Sequence, residues 1–499
     1  MQCRHHPVCP GCPLADLPAS DQLAHKRRRL AEALALYPHL PAAPHVLAAT
    51  RSTDYRHRIK LPVAVDRGRA RIGLYDRRTR AVLHTPDCPV LAPALRDTLG
   101  TMLPWLTEHP EVHSVDLRTS GATGEQQLVL AVDTGSLRGG RRAVEQLVRD
   151  VPALRSVALS TADPERKRVM GRRPQLASGR EHIEEAIGRA RYRLYPGAFF
   201  QVDPDNARQL HQLVIEAVGD AQTVLDLYAG VGAYALSLAP GRRRVVAVEE
   251  VPQAAAAAAA MAPPHMQVVT SRVEDLTIDE PFDVVVLNPA RRGSLPGVLA
   301  QVARLAKRLV YVSCGPETLA RDLDALAAHG MRVTSLQAID LFPQTAEVET
   351  VVTLDRGPAL RTWDIPGGRA GGPWLGHPSG ALGRPREAVA LVIGDPGPRG
   401  NLPGGRFERL GVVATHGLIR LQLDGPLDDA LRTLARRSHP AAGRDPRTAH
   451  FFAEKAGLVR PFEHVTVADG RAPLHGDLVQ ALRALGAGED LVRRAGAAR

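Results

Sequence analysis

Four apolar runs punctuate the middle of the chain: Thr223-Val-Leu-Asp-Leu, Arg244-Val-Val-Ala-Val, Phe282-Asp-Val-Val-Val-Leu and Arg308-Leu-Val-Tyr-Val. Each is short, Val-rich and continuous rather than alternating, the pattern of a strand buried on both faces. The stretches between them have helical spacing, so the pattern predicts an α/β fold with a doubly wound parallel sheet. Ahead of the first run, Asp203-Pro204 predicts a helix N-cap with Pro in the first turn, and Leu210, Leu213, Val214 and Ala217 follow on one helical face. The run Ala254 to Ala260 falls where a crossover helix is needed, and Ala is the best helix former.

The 499 residues are too many for one core and divide into five stretches. Residues 1–90 hold a helix-like basic stretch from Asp21 to Tyr37 and a strand-like Arg58-Ile-Lys-Leu-Pro-Val-Ala-Val; residues 91–190 read as a small α/β domain with runs such as Gln127-Leu-Val-Leu-Ala-Val. The parallel-sheet domain occupies 191–356, a Gly/Pro/Arg-rich linker or insert 357–405, and a further small module 406–499. No run approaches the roughly eighteen apolar residues of a membrane span, and the N-terminus has no basic region followed by an apolar one, so a cytoplasmic protein without membrane contact is expected. The net charge of +11 suits a phosphate backbone, although only five of the 64 basic residues are Lys and an Arg-rich coding bias explains the excess equally well.

Candidate chemistry clusters at predicted strand ends. In Asp226-Leu-Tyr-Ala-Gly-Val-Gly, the residues Asp226, Tyr228, Gly230 and Gly232 form a turn that lets a ligand approach the backbone. The next strand ends in Glu249, placed to accept from ribose hydroxyls, and Val273-Glu-Asp-Leu precedes the third, which sets Asp275 toward the adenine or the methionine part of such a ligand. Where a dinucleotide fold carries a third glycine, this chain has Tyr234 or Ala235; the turn alone leaves S-adenosylmethionine and a nicotinamide dinucleotide both open. Val312-Ser-Cys-Gly-Pro puts Cys314 at the same sheet edge, Asn288-Pro-Ala-Arg-Arg-Gly ends the preceding strand, and Glu349 opens another. Gly197-Ala-Phe-Phe-Gln-Val adds Phe199, Phe200 and Gln201 in a chain with only eight Phe. Cys3, Cys9, Cys12 and Cys88 offer four soft donors, which suit a 4Fe-4S cluster or a structural zinc alike. Beside them, Arg56, Arg58 and Lys60 fit either phosphate contacts or a solvated edge strand.

Taken together, Asn288-Pro-Ala-Arg-Arg-Gly, the run Tyr311 to Leu323 and Phe342-Pro-Gln-Thr resemble the RNA uracil-C5 methyltransferase family, which makes 5-methyluridine in 23S ribosomal RNA and tRNA; the likeness runs from residue 1 to about 354. It implies a Rossmann-like S-adenosylmethionine-dependent domain, preceded by a cysteine-cluster and small α+β RNA-binding region and followed by a small C-terminal module. It also implies that Cys314 adds to C6 of the uracil, that Glu349 removes the C5 proton, and that Gln201 and Asn288 bind the uracil edge, with Gln201 and Asn288 also bordering the cofactor site. Phe199 or Phe200 would stack on the base. The substrate would be a flipped-out or single-stranded uridine, the enzyme a monomer, and Cys3, Cys9, Cys12 and Cys88 the ligands of a 4Fe-4S cluster. The family's optional N-terminal OB-type domain is expected to be absent.

Four departures stand out. Asn288 sits where many members have Asp, and Asn occurs in one branch that acts on ribosomal RNA, so 23S rRNA is the expected substrate and tRNA the alternative. Gly315 replaces a usual Asn, Glu347 a usual His, and the alanine run removes an expected Asn. These changes also leave open a catalytically weak or silent RNA-bound assembly factor. A redox or radical enzyme would need an open iron site with three ligands, against which Cys88 speaks. Residues about 386 to 480 resemble the end of an RNA pseudouridine synthase domain, at Ala388-Val-Ala-Leu-Val, Gly397-Pro-Arg-Gly, Arg406-Phe-Glu-Arg-Leu, Ser438-His-Pro, Phe451-Phe-Ala-Glu-Lys and Arg460-Pro-Phe-Glu-His. The catalytic His-Arg-Leu-Asp of that family is missing, which leaves either a truncated, non-catalytic remnant that helps hold RNA or a degenerate tail with no role.

Overall fold

The computed structural model describes residues 3–35, 45–133, 136–161 and 174–356 and, beyond them, 361–363, 374–376, 387–393, 397–402, 405–413, 416–423, 465–468, 482 and 490–491. Eight strands form the central sheet, in the spatial order Val46–Leu47, Met331–Ile339, Glu349–Arg356, Ala306–Ser313, Phe282–Leu287, Thr223–Leu227, Arg244–Glu249 and Met266–Thr270. The last five are parallel, and Glu349–Arg356 runs antiparallel to both neighbours. Among these five parallel strands the chain starts at Thr223–Leu227, builds outward to Met266–Thr270 and then returns to the other side with Phe282–Leu287. Strand order therefore reverses between Thr223–Leu227 and Phe282–Leu287, and the crevice beyond their carboxyl ends is where such sheets bind ligands.

The apolar runs are buried on both faces, as their continuity predicts. One face packs Leu225, Val246 and Val285 with Leu299, Leu319 and Leu323; the other packs Val224, Val284 and Val310 with Leu210, Val214 and Tyr234. Asp203 caps the helix Pro204–Val218, its carboxylate accepting from the backbone of Asp205 and Asn206. The alanine run forms the helix Pro252–Ala259, with Ala254, Ala255 and Ala258 inward. The basic N-terminal helix spans Ala19–Ala35 and sets Leu30 and Leu34 into the first core beside Leu319 and Leu323 of the helix Pro316–Ala328.

A second sheet has the order Arg69–Ile72, Arg58–Asp66, Val112–Thr119, Gln126–Val132, Leu154–Thr161 and Gln175–Gly179, with its own core against the helices Pro93–Glu108 and Gly140–Asp150. Residues 1–90 do not close on themselves: Arg58 to Pro62 pair with Arg118 to Ser114, so one sheet crosses the expected boundary because its strands share one apolar face. Likewise, Glu387–Ile393 and Arg399–Leu402 belong to an antiparallel sheet with Gly405–Val413, His416–Leu423 and Val465–Ala468, across the expected linker. The segments around Ser438, Phe451 and Arg460 lie outside the described residues. Among the described residues no helix is long and apolar enough to cross a membrane.

Candidate active site

The antiparallel register between Ala306–Ser313 and Glu349–Arg356 ends with Ser313 opposite Thr350, whose hydroxyl donates to the Ser313 carbonyl at 3.1 Å. Cys314 follows Ser313 directly and Glu349 precedes Thr350, so the two meet across the strand ends. Gly315 then caps the helix Pro316–Ala328, whose N-terminus favours negative charge nearby. A Cβ at Gly315 would stand 2.8 Å from the Thr318 hydroxyl, so the packing of this helix start suits glycine better than the Asn expected there. Burial and then the facing Glu349 push the Cys314 thiol up to about 11, while Arg291 pulls the other way. Burial pushes the Glu349 carboxyl up to about 8, again opposed by Arg291. Both groups thus hold a proton at neutral pH in the free protein.

The glycine turn lies close by. Tyr228, Gly230 and Gly232 all have positive φ, and a Cβ at Gly230 would meet nothing within 4 Å, so the turn is open to a ligand. Glu249 shapes it: its carboxylate accepts from the Gly230 and Val251 amides, each at 2.8 Å, and keeps lone pairs for further donors. Asp226 is fully buried, accepts from the Ala235 amide at 2.9 Å and has its other oxygen unpartnered; burial pushes its carboxyl up to about 7. Burial raises the Tyr234 hydroxyl well above its ordinary value, with the Glu349 and Asp226 carboxylates adding to the effect. Asn288 is half-buried just past Leu287, whose register partners are Leu227 and Tyr311, so it stands between turn and thiol. Asp275 is exposed on the short turn Val273–Asp275. These features fit a small ligand that carries hydroxyls and an amino-acid end.

Two expectations about RNA-facing side chains need correction. Arg58 does not face solvent: it forms a two-pronged pair with Asp116 at 2.9 and 2.6 Å and donates to the carbonyls of Gly197 and Ala198. Arg118 donates to the same Ala198 carbonyl at 2.6 Å. Buried beside one carboxylate, Arg58 braces the Phe-Phe segment instead of reaching a phosphate. Phe200 is core, 4% exposed with its ring 5.0 Å from Tyr192, whereas Phe199 is 70% exposed. Gln201 is half-buried beyond them, and the next residue, Val202, accepts from the His57 amide at 2.6 Å. Lys60 is exposed and Arg56 half-buried.

Cys3, Cys9, Cys12 and Cys88 line one cavity of about 380 Å³ together with Arg56, Lys60 and Phe199. All four are free thiols, and three of them, Cys88, Cys9 and Cys3, help burial raise Cys12 to about 12. Soft donors are therefore gathered, yet among the described residues no three His, Cys, Asp or Glu side chains form a group that could hold a metal ion. Four thiols around one cavity are a soft donor set, but among the described residues they form no metal site, so neither a 4Fe-4S cluster nor zinc is assigned to them.

Sequence reasoning missed the groups that hold this site. Arg291, inside Asn288-Pro-Ala-Arg-Arg-Gly, lies 3.3 Å from Glu347 and is the cation nearest in effect to both Cys314 and Glu349. Its place in a quoted motif could have flagged it. Asp322 accepts from the Tyr311 hydroxyl at 2.7 Å and the Ser294 amide at 2.8 Å, anchoring the loop after Asn288. Arg29 and Lys26, in a run of basic helix residues, carried no signal that separated them from a solvated face.

Sheet order, glycine turn and carboxyl-edge crevice are those of a Rossmann-like fold, and the similarities to known proteins make it that of an S-adenosylmethionine-dependent methyltransferase. Residues 265–357 match the family described as tRNA (Uracil-5-)-methyltransferase. An uncharacterized RNA methyltransferase of Gloeobacter violaceus is 32% identical over 390 residues, covering 71% of this chain and 84% of that protein. One from Geobacter sulfurreducens is 31% identical over 381 residues, covering 70% and 76%. The crystal structure of Pyrococcus abyssi tRNA (uracil-54, C5)-methyltransferase in complex with S-adenosyl-L-homocysteine shares the fold, with a TM-score of 0.58, 24% identity and coverage of 70% of this chain and 86% of that one. The chain belongs to the RNA (uracil-C5) methyltransferase family and is an enzyme of that class. None of these similarities supports the pseudouridine synthase likeness expected for the C-terminal residues.

Proposed function

We propose that the protein methylates uracil C5 in RNA through a covalent adduct between Cys314 and C6 of the base. The observation that carries this is the meeting of Cys314 and Glu349 across adjoining strand ends, at the same carboxyl edge of the sheet that bears the glycine turn. Uracil C5 is a weak nucleophile. When the Cys314 sulfur bonds to C6, the C5–C6 electron pair moves toward C5 and O4, and C5 becomes electron rich. S-adenosylmethionine supplies the methyl group as an electrophile when bound, held by the turn from Tyr228 to Gly232, Asp226, Glu249 and Asp275. Glu349 then takes the C5 proton, the C5–C6 double bond re-forms, and the C6–sulfur bond breaks to return the thiolate.

The thiol needs help to ionise. Arg291 and the helix N-terminus after Gly315 oppose the effect of burial at Cys314. Gln201 and Asn288 are placed to bind the uracil edge, and exposed Phe199 offers a stacking face that a flipped-out or single-stranded base can use. Arg56 and Lys60 remain candidates for phosphate contacts. The family description names tRNA, so tRNA stands ahead of 23S rRNA as substrate; Asn288 is the observation that favours the ribosomal reading. The cysteine-lined cavity is kept as a separate proposal for soft-metal binding, tested by iron, sulfide and zinc content of the purified protein.

The mechanism is tested with RNA containing 5-fluorouracil, whose C5 fluorine Glu349 cannot remove. A peptide bearing Cys314 cross-linked to a methylated fluoropyrimidine is expected by mass spectrometry, and methylation without any adduct would sink the proposal. Mapping 5-methyluridine in tRNA and 23S rRNA from a deletion strain decides the substrate.

A further inference from the structure

Arg29 comes from the N-terminal helix, outside every motif that points to methyl transfer, yet its guanidinium touches both sides of the reacting pair. Nε and Nη2 donate to Glu317 Oε1 and Oε2 at 3.0 and 3.1 Å, and Glu317 lies in the first turn of the helix that opens just after Cys314. Nη1 donates to the Ala346 carbonyl at 3.0 Å and stands 3.8 Å from Glu347 Oε2, on the segment that leads into Glu349. Glu347 continues the chain of charges to Arg291 at 3.3 Å. A fork facing a carboxylate sets orientation as well as charge, so this contact carries geometry from one loop to the other.

The same helix holds the segment at other points. Gln22 accepts from the Gln344 amide and donates to its side-chain oxygen, each at 2.8 Å, where Gln344 has a φ of 70°. Buried Lys26 pairs with Asp340 and donates to the Phe342 carbonyl at 2.9 Å. These contacts fix the loop; Arg29 is the one among them that also reaches the nucleophile's side.

We infer that Arg29 is a positioning residue for methyl transfer, tying the Cys314-Gly315 turn to the Thr345–Val348 segment and so setting nucleophile and base at their working separation. The inference rests on the roles of Cys314 and Glu349 proposed above. It also accounts for Glu347 at a position where a His is usual: the acid is held between two arginines. The pair with Glu317 is partly exposed, with Arg29 29% and Glu317 51% accessible, so its effect should appear in rate more than in stability.

The test compares full-length wild type, Arg29→Ala, Arg29→Lys, Glu317→Gln and Cys314→Ala, using bulk RNA from a deletion strain for turnover and 5-fluorouracil-substituted RNA for single-turnover adduct formation. Arg29→Ala should lower kcat on the order of ten- to a hundred-fold with KM for RNA within about two-fold, and slow the first-order adduct rate in parallel. Arg29→Lys, which keeps charge without the fork, should recover only part, and Glu317→Gln should lose several-fold. A merely structural defect would reduce the amplitude of adduct formation and leave its rate constant at the wild-type value; that result, or wild-type kcat in Glu317→Gln, overturns the inference. If Arg29→Ala does not fold, Glu317→Gln decides. Turnover in Cys314→Ala would instead bring down the underlying mechanism, whereas a dead Cys314→Ala beside unaffected Arg29 and Glu317 variants removes the positioning role alone.

Discussion

Cys314 and Glu349 sit opposite each other because Ser313 and Thr350 are register partners at the ends of two antiparallel strands. The proposed nucleophile and base are thus held by one hydrogen-bonded ladder, close in space though distant in sequence. Loss of either side chain should therefore change chemistry far more than fold.

Cys314→Ala should abolish methyl incorporation from labelled S-adenosylmethionine with an unchanged circular dichroism spectrum. The thiol is only partly buried at a strand end, so its removal leaves little cavity. Residual turnover above about one part in a thousand would contradict the covalent route.

Glu349→Gln should accumulate a protein–RNA adduct on ordinary RNA, seen as a band that survives denaturing electrophoresis, because the C5 proton then has no acceptor. The same change should stabilise the fold. Burial raises this carboxyl from 4.5 to about 8, so the folded state holds its proton more tightly than the unfolded chain. Wild type therefore loses stability as pH rises from about 4.5 to 8, on the order of a few kcal/mol, and the Gln variant does not. The gap in Tm should widen across that window and flatten above it.

Turnover should rise from pH 6 to 9. The base form of Glu349 becomes populated as pH passes about 8, and the Cys314 thiolate, with the thiol raised to about 11, increases over the same range. A profile of kcat/KM that falls across this interval, with folding intact, would rule out Glu349 as the base.

Asp116→Ala should destabilise the protein by roughly 3–5 kcal/mol in urea unfolding, since it strands Arg58 and Arg118 without their counter-charge. Burial alone would raise the Asp116 carboxyl, but the Arg58 fork outweighs it and holds the group below its usual range. Its contribution is present above the ordinary carboxylate pKa and is lost as pH falls through the lowered one. Lys60→Ala, whose exposed ammonium stands 3.6 Å from Asp116 at the rim of this pair, should cost far less, about 1 kcal/mol or below.

Phe199→Ala should weaken RNA binding by about 1–3 kcal/mol with stability almost unchanged, whereas Phe200→Ala should cost about 3–5 kcal/mol of stability. The pair separates stacking from packing: one ring is 70% exposed and its neighbour 4%.

By itself the sequence determined the parallel sheet, the capped helix at Asp203 and the glycine turn, and it put Cys314 and Glu349 at strand ends. Each rests on local spacing, burial period or a residue type that one reaction demands. Only the tertiary structure decided the direction of Arg58, the division of labour between Phe199 and Phe200, and the meeting of Arg29 with Glu317 and Ala346. Identical residue types in one basic run or one aromatic pair have the same local signature. What separates them is which face the folded core covers and which carboxylate lies across the gap, and those partners come from segments as far apart as residues 29 and 317. One sheet takes strands from both sides of residue 90 for the same reason: strands join a sheet by sharing an apolar face, wherever they stand in the chain.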